Sequence, residues 1–263
     1  MLAIFVEGET KTGKGAASEA IAKTLEAQGL KVYYDVAGNF FRRYVAIIRR
    51  RLQLSENDPL PPTQELIDVA TELYRSGEAF EMDPTLGDLQ RPTISQCVSI
   101  LGELPIAQQA ASDWFGSSLK RANAAKADVL LLDGRNPRLH IEMLQAELGI
   151  KVDTVLDIYM MCDPVVAAAR MIDATASHVD NKAAADSIID RRRRDRMRPD
   201  WPFIEPTNSI YFTPGSRKSN EIIAETWRAS AVLPIKVDNS VVDKALLEQS
   251  LTDLTIAALK NNR

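Results

Sequence analysis

The start of the chain carries a glycine and lysine spacing that is typical of phosphate binding. Residues 8–15 read Gly-Glu-Thr-Lys-Thr-Gly-Lys-Gly and directly follow the apolar run 2–6. In such a loop backbone N–H groups surround an oxyanion, Lys14 reaches the terminal phosphates, and the next helix points its positive end at them. The spacing therefore predicts a phosphate-binding loop between a strand and a helix.

Two further groups of charged side chains suit phosphate chemistry. Asp133 ends an aliphatic run, at the position where a carboxylate commonly holds magnesium through water. Helical spacing within 190–198 places on one face Arg191, Arg194, Asp195 and Arg198. Arginines supply the positive charge that phosphoryl transfer needs around its equatorial oxygens. The structural alternatives are a turn-forming aspartate before Gly134 and a solvated helix face.

A parallel α/β framework is expected to position these residues. Hydrophobic patterns predict strands at 2–7, 31–34, 128–133, 152–161 and 232–237. They predict helices from 14 to a glycine stop at 29, and at 44–52, 63–76, 113–125, 164–174, 183–197 and 241–259, with a loop at 199–220. Alternating strands and helices indicate a doubly wound parallel sheet that binds ligands at the carboxyl ends of its strands.

Composition narrows the class of protein. The 263 residues suit one α/β domain, and a net charge of −4 argues against a nucleic-acid or anionic-membrane surface. Cys97 and Cys162 have no partner spacing that suggests zinc or a disulfide, and His140 and His178 are interpreted as structural or surface residues. The first apolar run is too short for a signal peptide or membrane span, so a cytoplasmic protein is expected.

Four segments resemble the cytidylate kinases, which are nucleoside monophosphate kinases that phosphorylate CMP and dCMP. Residues 8–15 match the family's ATP loop, including the glycine after the lysine. Residues 35–42 resemble its Asp-Ser-Gly-x-x-Tyr-Arg segment with one extra residue, and 133–136 resemble its Asp-Gly-Arg-Asp. Residues 190–198 align with its lid helix without a gap, and a weaker match runs through 91–105.

The resemblance implies a P-loop kinase fold, a three-layer α/β/α domain with a parallel sheet and two insertions. Over the single domain 1–263, the core would comprise 1–37, 128–170 and 232–263. The acceptor-binding insertion would span about 38–127 and the lid about 171–200, with an extra loop at about 200–231. The expected protein is a monomer that binds ATP and a nucleoside monophosphate, and neither nucleic acid nor membrane.

The resemblance also implies a role for each matched residue. ATP would be bound by Gly8, Glu9, Thr10, Lys11, Thr12, Gly13, Lys14, Gly15 and Ala16. The acceptor would be bound by Arg42, Ser99, Arg135, Asn136, Arg191, Asp195 and Arg198, with Ser99 near the cytosine and Asp195 near the sugar. Catalysis would use Lys14, Arg191, Arg194 and Arg198. Mg2+ would be held by Asp133 through water, and Arg170 and residues 238–240 are candidate neighbours of the adenine.

Several positions depart from the family pattern. Ala16 stands where a serine or threonine is expected, and Lys11 replaces a glycine or alanine. Magnesium would then depend on water, Asp133, or the hydroxyl of Thr10 or Thr12. On the base-reading side, Val36 or Ala37 replaces a serine, Asn136 an aspartate and Gln108 an arginine. Two alternatives therefore remain: a thymidylate-kinase-like or other small-molecule kinase, and a nucleotide-binding module without turnover.

Overall fold

The computed structural model describes residues 1–55, 58–81, 91–175, 181–197, 208–215, 232–240 and 243–261, together with 89, 206, 221 and 222. Its strands are β1 (Leu2–Gly8), β2 (Val32–Val36), β3 (Val129–Gly134), β4 (Asp153–Met161), β5 (Ile210–Phe212) and β6 (Ile235–Asp238). Its α-helices are α1 (Lys14–Ala27), α2 (Ala37–Arg51), α3 (Gln64–Ser76), α4 (Pro92–Leu101), α5 (Pro105–Ala124), α6 (Pro137–Leu148), α7 (Pro164–Thr175), α8 (Asn181–Arg196) and α9 (Lys244–Asn261). A 3-10 turn at Glu78–Phe80 follows α3.

The six strands form one all-parallel sheet in the order β2-β3-β1-β4-β6-β5. β1 lies in the middle, paired with β3 on one side and β4 on the other. Central strands covered on both faces consist almost wholly of apolar residues, which is why β1 and β3 are continuous apolar runs. The predicted α/β fold with a parallel sheet is confirmed.

Helices cover both faces of this sheet. Ile4 and Val6 pack with α1 and α9 on one face. Ala3 and Phe5 pack on the other face with the helices from α2 to α6. The helices that follow β1 and β3 therefore leave to opposite faces, and the carboxyl ends of these two strands border a crevice where ligands commonly bind. Within the described ranges, no helix has the length and apolar character needed to cross a membrane.

Helices α7 and α8 pack against each other beside the carboxyl end of β4. Ala167, Ala168 and Ile188 form a small apolar cluster there with Cys162. Helix α8 also contacts α4. The region that the sequence predicts to be a lid is thus anchored at both α7 and α4.

Some predicted elements differ from the structure. Helix α2 begins at Ala37 rather than at 44, and α5 begins at Pro105 rather than at 113. The prediction of a loop throughout 199–220 is wrong at β5, a short strand that pairs only with β6. Its three residues are too few for a recognisable alternation of apolar and polar side chains. Helices α4 and α6 were not predicted. Each begins with a proline, which suits the first position of a helix but is easily interpreted as the end of regular secondary structure.

Candidate active site at the carboxyl ends of the central strands

The loop between β1 and α1 contains two glycines that no other residue could replace without strain. Gly8 has a φ of 138°, and a Cβ there would collide with the backbone oxygen of Met160. Gly13 has a φ of 93°, and its Cβ would lie 2.5 Å from Nδ2 of Asn239. That same nitrogen donates to the carbonyl oxygen of Thr12 at 3.0 Å. The loop is therefore held between β4 and the segment after β6.

The loop also closes on itself around one carbonyl group. Lys14 Nζ and Thr12 Oγ1 both donate to the backbone oxygen of Glu9, at 2.6 and 2.9 Å. Thr12 is fully buried, so its hydroxyl is engaged inside the loop. Lys11 is exposed and has a φ of 58°, a conformation that a residue other than glycine rarely adopts. Of the two threonines proposed as metal ligands, Thr12 is thus committed to the loop.

A cavity of about 600 Å3 opens beside this loop. The predicted site residues that line it are Thr10, Lys11, Thr12, Gly13, Lys14, Gly15, Arg42, Asp133, Arg135, Asn136, Arg191 and Asp195. They come from the loop, α2, the end of β3, the start of α6 and α8. The fold thus gathers around one space residues that are far apart in the sequence. Gly8, Glu9 and Ala16 belong to the same loop region but do not line this cavity.

Positive charge is concentrated at this cavity. Burial, and then the nearby Arg135 guanidinium, lowers the pKa of Lys14 to about 7. Burial also lowers the pKa of Lys11, with further contributions from the positive charges of Arg42 and Arg191. Cations that lower one another's pKa in this way are stabilised by an anion placed between them. The arrangement favours a phosphate-bearing ligand.

Asp133 supplies a carboxylate beside these cations. Burial raises its pKa, whereas Lys14 and Arg135 oppose that rise. Ser18 Oγ lies 3.5 Å from Asp133 Oδ2 and projects from α1, one turn after Lys14. A carboxylate and a hydroxyl are oxygen ligands of the kind that Mg2+ takes together with substrate phosphates. Within the described ranges, no three acidic, histidine or cysteine side chains are grouped so that they could hold a metal ion by themselves.

Arg135 joins the end of β3 to α8. Its Nε and Nη2 donate to Asp195 Oδ2 at 3.0 and 2.5 Å, and its Nη1 donates to the backbone oxygen of Gly8. The Asp195 side chain is only 2% exposed. A buried ion pair of this kind fixes geometry, because either partner alone would be an uncompensated buried charge. The contact holds α8 over the glycine loop.

Glu9 makes a second connection between the loop and α8. Its Oε2 lies 2.7 Å from Arg192 Nε, and its Oε1 accepts from Arg196 Nη2 at 2.6 Å. The Glu9 side chain is 8% exposed, so this acidic residue of the loop is almost buried under the two arginines. We call this contact the Glu9 clamp. It pairs two cations of the arginine run with one carboxylate, so part of their positive charge is offset within the protein itself.

Other residues of the predicted site lie away from the cavity. Arg194 donates to Ser99 Oγ at 3.2 Å and lies 3.4 Å from Glu103, and neither Arg194 nor Ser99 lines the cavity. Ser95, one turn earlier on α4, does line it and was not predicted. Its spacing to Ser99 is the signal that could have identified it. Arg198 lies outside the described residues.

One wall of the cavity combines apolar side chains with a neutral histidine. Burial lowers the pKa of His140 to about 4, and its ring stacks on Phe115 with centroids 4.8 Å apart. The sequence interpretation of His140 as a structural or surface residue overlooked its place in the cavity wall. Val36 and Ala37, which stand where the family has a serine, line the same wall. This wall therefore offers few polar side chains to a ligand.

The residues proposed near the adenine lie behind the loop. Arg170 Nη2 donates to the backbone oxygen of Asn239 at 2.6 Å, and Asn239 in turn holds Thr12. Asp238 Oδ1 accepts from the backbone and hydroxyl of Ser240. Arg170 and residues 238–240 are therefore adjacent to each other and to the glycine loop.

Comparisons with known proteins do not extend these observations. No model of a known protein family matches the chain, and a search of curated proteins finds no similar one.

Proposed function

We propose that the chain transfers the γ-phosphate of ATP to a nucleoside monophosphate. The observation that carries this proposal is a single cavity lined by Lys14 of the glycine loop and by Arg42, Arg135 and Arg191. Phosphoryl transfer depends on positioning and on positive charge more than on covalent catalysis. A protein that only bound one nucleotide would have no need of the additional arginines beside the loop.

The reaction would be an in-line displacement at the γ-phosphorus. An oxygen of the acceptor monophosphate, already anionic, forms the new P–O bond as the bond to the β-phosphate oxygen breaks and ADP leaves. Lys14 would stabilise the charge on the transferring group, while Arg42 and Arg191 would hold the acceptor phosphate. Helix α8, held over the loop by Arg135 and the Glu9 clamp, would exclude water and so limit ATP hydrolysis.

Mg2+ is the cofactor that this proposal implies. Asp133 lines the cavity and would hold the ion, and phosphate oxygens would complete its coordination. Ser18 is fully buried and does not line the cavity, so its hydroxyl would orient the Asp133 carboxylate. When bound, the ion neutralises charge on the nucleotide phosphates.

The identity of the acceptor depends on the base-side residues, whereas phosphoryl transfer depends on the phosphate-binding residues. The resemblance implies CMP or dCMP, and its agreement with the family pattern is better at the phosphate-binding residues than at the base-reading ones. The base-side residues Val36, Ala37 and Gln108 depart from that pattern, which leaves room for another monophosphate. Substitution of the expected hydroxyl by Ala16 is the reason to keep a nucleotide-binding module without turnover as the second candidate.

A coupled ADP-release assay tests the proposal. Mg-ATP is offered with CMP, dCMP, UMP, dTMP or AMP, and an acceptor-free reaction measures hydrolysis. We expect ADP release that depends on an acceptor, loss of turnover in Lys14→Ala, and unchanged turnover in Lys23→Ala, an exposed lysine of the same helix. Wild-type turnover in Lys14→Ala with unchanged thermal melting would refute the loop assignment. ATP binding with no acceptor-dependent release would favour the module without turnover.

A further inference from the structure

Two faces of α8 point to different surroundings in the structure. A helix turns about 100° per residue, so Arg191 and Asp195 lie within about 40° of each other around the axis. Both of these residues line the cavity. Arg194 is about 60° from Arg191 around the axis, and it contacts Ser99 and Glu103 instead of the cavity. A rotation of α8 by about 60° would therefore exchange Arg191 for Arg194 at the cavity.

The Glu9 clamp engages a third face of α8, on the side opposite to Arg194. Arg192 and Arg196 each lie about 160° from Arg194 around the helix axis. Arg192 also donates from Nη2 to the backbone oxygen of Cys162 at 2.9 Å. The side chains of Glu9 and Arg192 are only 8% and 11% exposed, so separating them would leave poorly solvated charges without partners. The Glu9 clamp therefore opposes rotation of α8 about its axis.

The other charged contacts of α8 do not restrain it in the same way. The side chains of Arg194 and Glu103 are 38% and 43% exposed, and an ion pair in contact with water contributes little. Arg135 holds Asp195 strongly, but Arg135 lines the cavity and would itself meet a ligand. Glu9 does not line the cavity, so it holds α8 from outside the space that a ligand fills.

We propose that Glu9 is a positioning residue, which holds α8 in the rotation that presents Arg191 to the phosphate of the acceptor. This inference rests on the proposed function, because it takes a nucleoside monophosphate as the ligand beside Arg191. It also changes the role that the resemblance implies for Glu9, since its side chain acts on α8 rather than on ATP. A carboxylate suits this position because each of its two oxygens faces one guanidinium group.

Isothermal titration calorimetry with Glu9→Gln tests this role by binding, without turnover. CMP, dCMP, UMP, dTMP and AMP are titrated into the wild-type protein, and the monophosphate that binds most tightly is the probe. By charge alone, removal of a carboxylate near a cationic cavity should strengthen the binding of any anion. We expect the opposite for the monophosphate, whose affinity should fall about ten- to a hundredfold because Arg191 is no longer held in place.

ATP is titrated into the same two proteins as the second ligand. We expect Glu9→Gln to bind ATP at least as tightly as the wild-type protein does, because the side chain does not contact the nucleotide. A loss confined to ATP, or an equal loss for both ligands, would overturn the inference. Unchanged or stronger binding of the monophosphate would also overturn it.

Glu103→Gln is the matched control, since it makes the same chemical change at a carboxylate that pairs with α8 on the opposite side. It should keep the affinity for the monophosphate within about twofold of the wild type. Arg191→Ala identifies the side chain through which Glu9 acts. In that background, Glu9→Gln should weaken monophosphate binding by less than about twofold, because the group that it positions is gone. A full loss in Glu103→Gln, or full additivity with Arg191→Ala, would overturn the inference.

Arg196→Gln tests the same contact if Glu9→Gln does not fold. The Arg196 side chain is 52% exposed, and Glu9 keeps its pairing with Arg192 in this variant. Monophosphate binding should weaken about two- to fivefold, and an unchanged affinity would overturn the inference.

Binding and turnover allow the two proposals to fail separately. Weaker monophosphate binding in Glu9→Gln, in a protein without acceptor-dependent ADP release, would refute the kinase proposal and leave the role of Glu9 standing. Turnover on a monophosphate whose affinity does not change in Glu9→Gln would do the reverse. A wild-type protein that binds none of the five monophosphates would overturn the inference.

Discussion

ATP binding should take up a proton at Lys14. Burial and Arg135 lower the pKa of this lysine to about 7 in the protein without a ligand. A phosphate group beside the ammonium favours its charged form and raises the pKa towards the ordinary value. At a pH between the pKa of Lys14 in the free protein and its pKa in the complex, the complex holds a proton that the free protein lacks.

The size of this effect follows from the pKa. At about pH 8, a lysine with a pKa of about 7 is protonated in about a tenth of the free molecules, so binding takes up about 0.9 proton. The sign is fixed by linkage: when the complex binds more protons, affinity falls as pH rises. Above pH 7, the affinity for ATP should therefore fall about tenfold per pH unit, until the pKa of the complex is reached.

Calorimetry in buffers of different ionisation enthalpy measures the proton uptake directly. The second pKa of a phosphate is about 6, so the terminal phosphate of ATP is ionised at about pH 8 and contributes little. Lys14→Arg is the matched control, because arginine keeps the cation but does not titrate in this range. We expect its ATP binding to depend much less on the buffer than that of the wild-type protein, with any remaining dependence due to other cavity groups such as Lys11. Binding heats of the wild-type protein that do not depend on the buffer, or equal uptake in Lys14→Arg, would refute the reasoning.

Three further predictions follow from contacts around the cavity. Arg135→Met should lower the free energy of unfolding by about 3–5 kcal/mol, because Asp195 then stays buried without its partner, and adding Asp195→Asn should restore part of that loss in urea unfolding. Arg191→Ala should lower kcat/KM for the acceptor about ten- to a hundredfold more than Arg194→Ala, since only Arg191 lines the cavity; equal losses in steady-state kinetics would contradict this. Burial, and then Asp157, raises the pKa of Glu7 from 4.5 to about 8, so the stability that its protonation gives is lost as pH rises through 8. Glu7→Gln should therefore gain stability relative to the wild type between about pH 5 and pH 8, and a constant difference in urea midpoints would contradict the shift.

The sequence predicts those parts of the fold whose residues are apolar without interruption. β1, β3 and β4 lie in the middle of the sheet, and strands buried on both faces need such runs. The glycine loop was also predictable, because Gly8 and Gly13 are required by their backbone conformation. β5 was missed because a three-residue edge strand exists only through its pairing with β6, which no local pattern encodes.

The sequence predicts which residue types form the site better than it predicts where each side chain lies. Helical spacing puts Arg191 and Arg194 on one face, but packing of α8 between α7 and α4 places only Arg191 at the cavity. Ser18 escaped prediction because its nearness to Asp133 depends on how α1 packs against β3. Gln108 was noticed as a departure from the family, yet the hydrogen bond from its Nε2 to the backbone oxygen of Gly102 was not predicted. Such pairings follow from tertiary packing rather than from local sequence.

The Glu9 clamp changes the electrostatic potential that an anion meets when it approaches the protein through solution. The arginine run resembles a basic patch, yet Arg192 and Arg196 are paired with a carboxylate that lies 187 residues from Arg196 in the sequence. The single Glu9 carboxylate offsets part of the charge of the two arginines, and salt screens what remains beyond about 8 Å. The clamp therefore presents a smaller positive charge to an approaching anion than its two arginines alone would. Under the proposed function, the attraction that draws a triphosphate inward would come from the loop side, where Lys11 is exposed and lines the cavity.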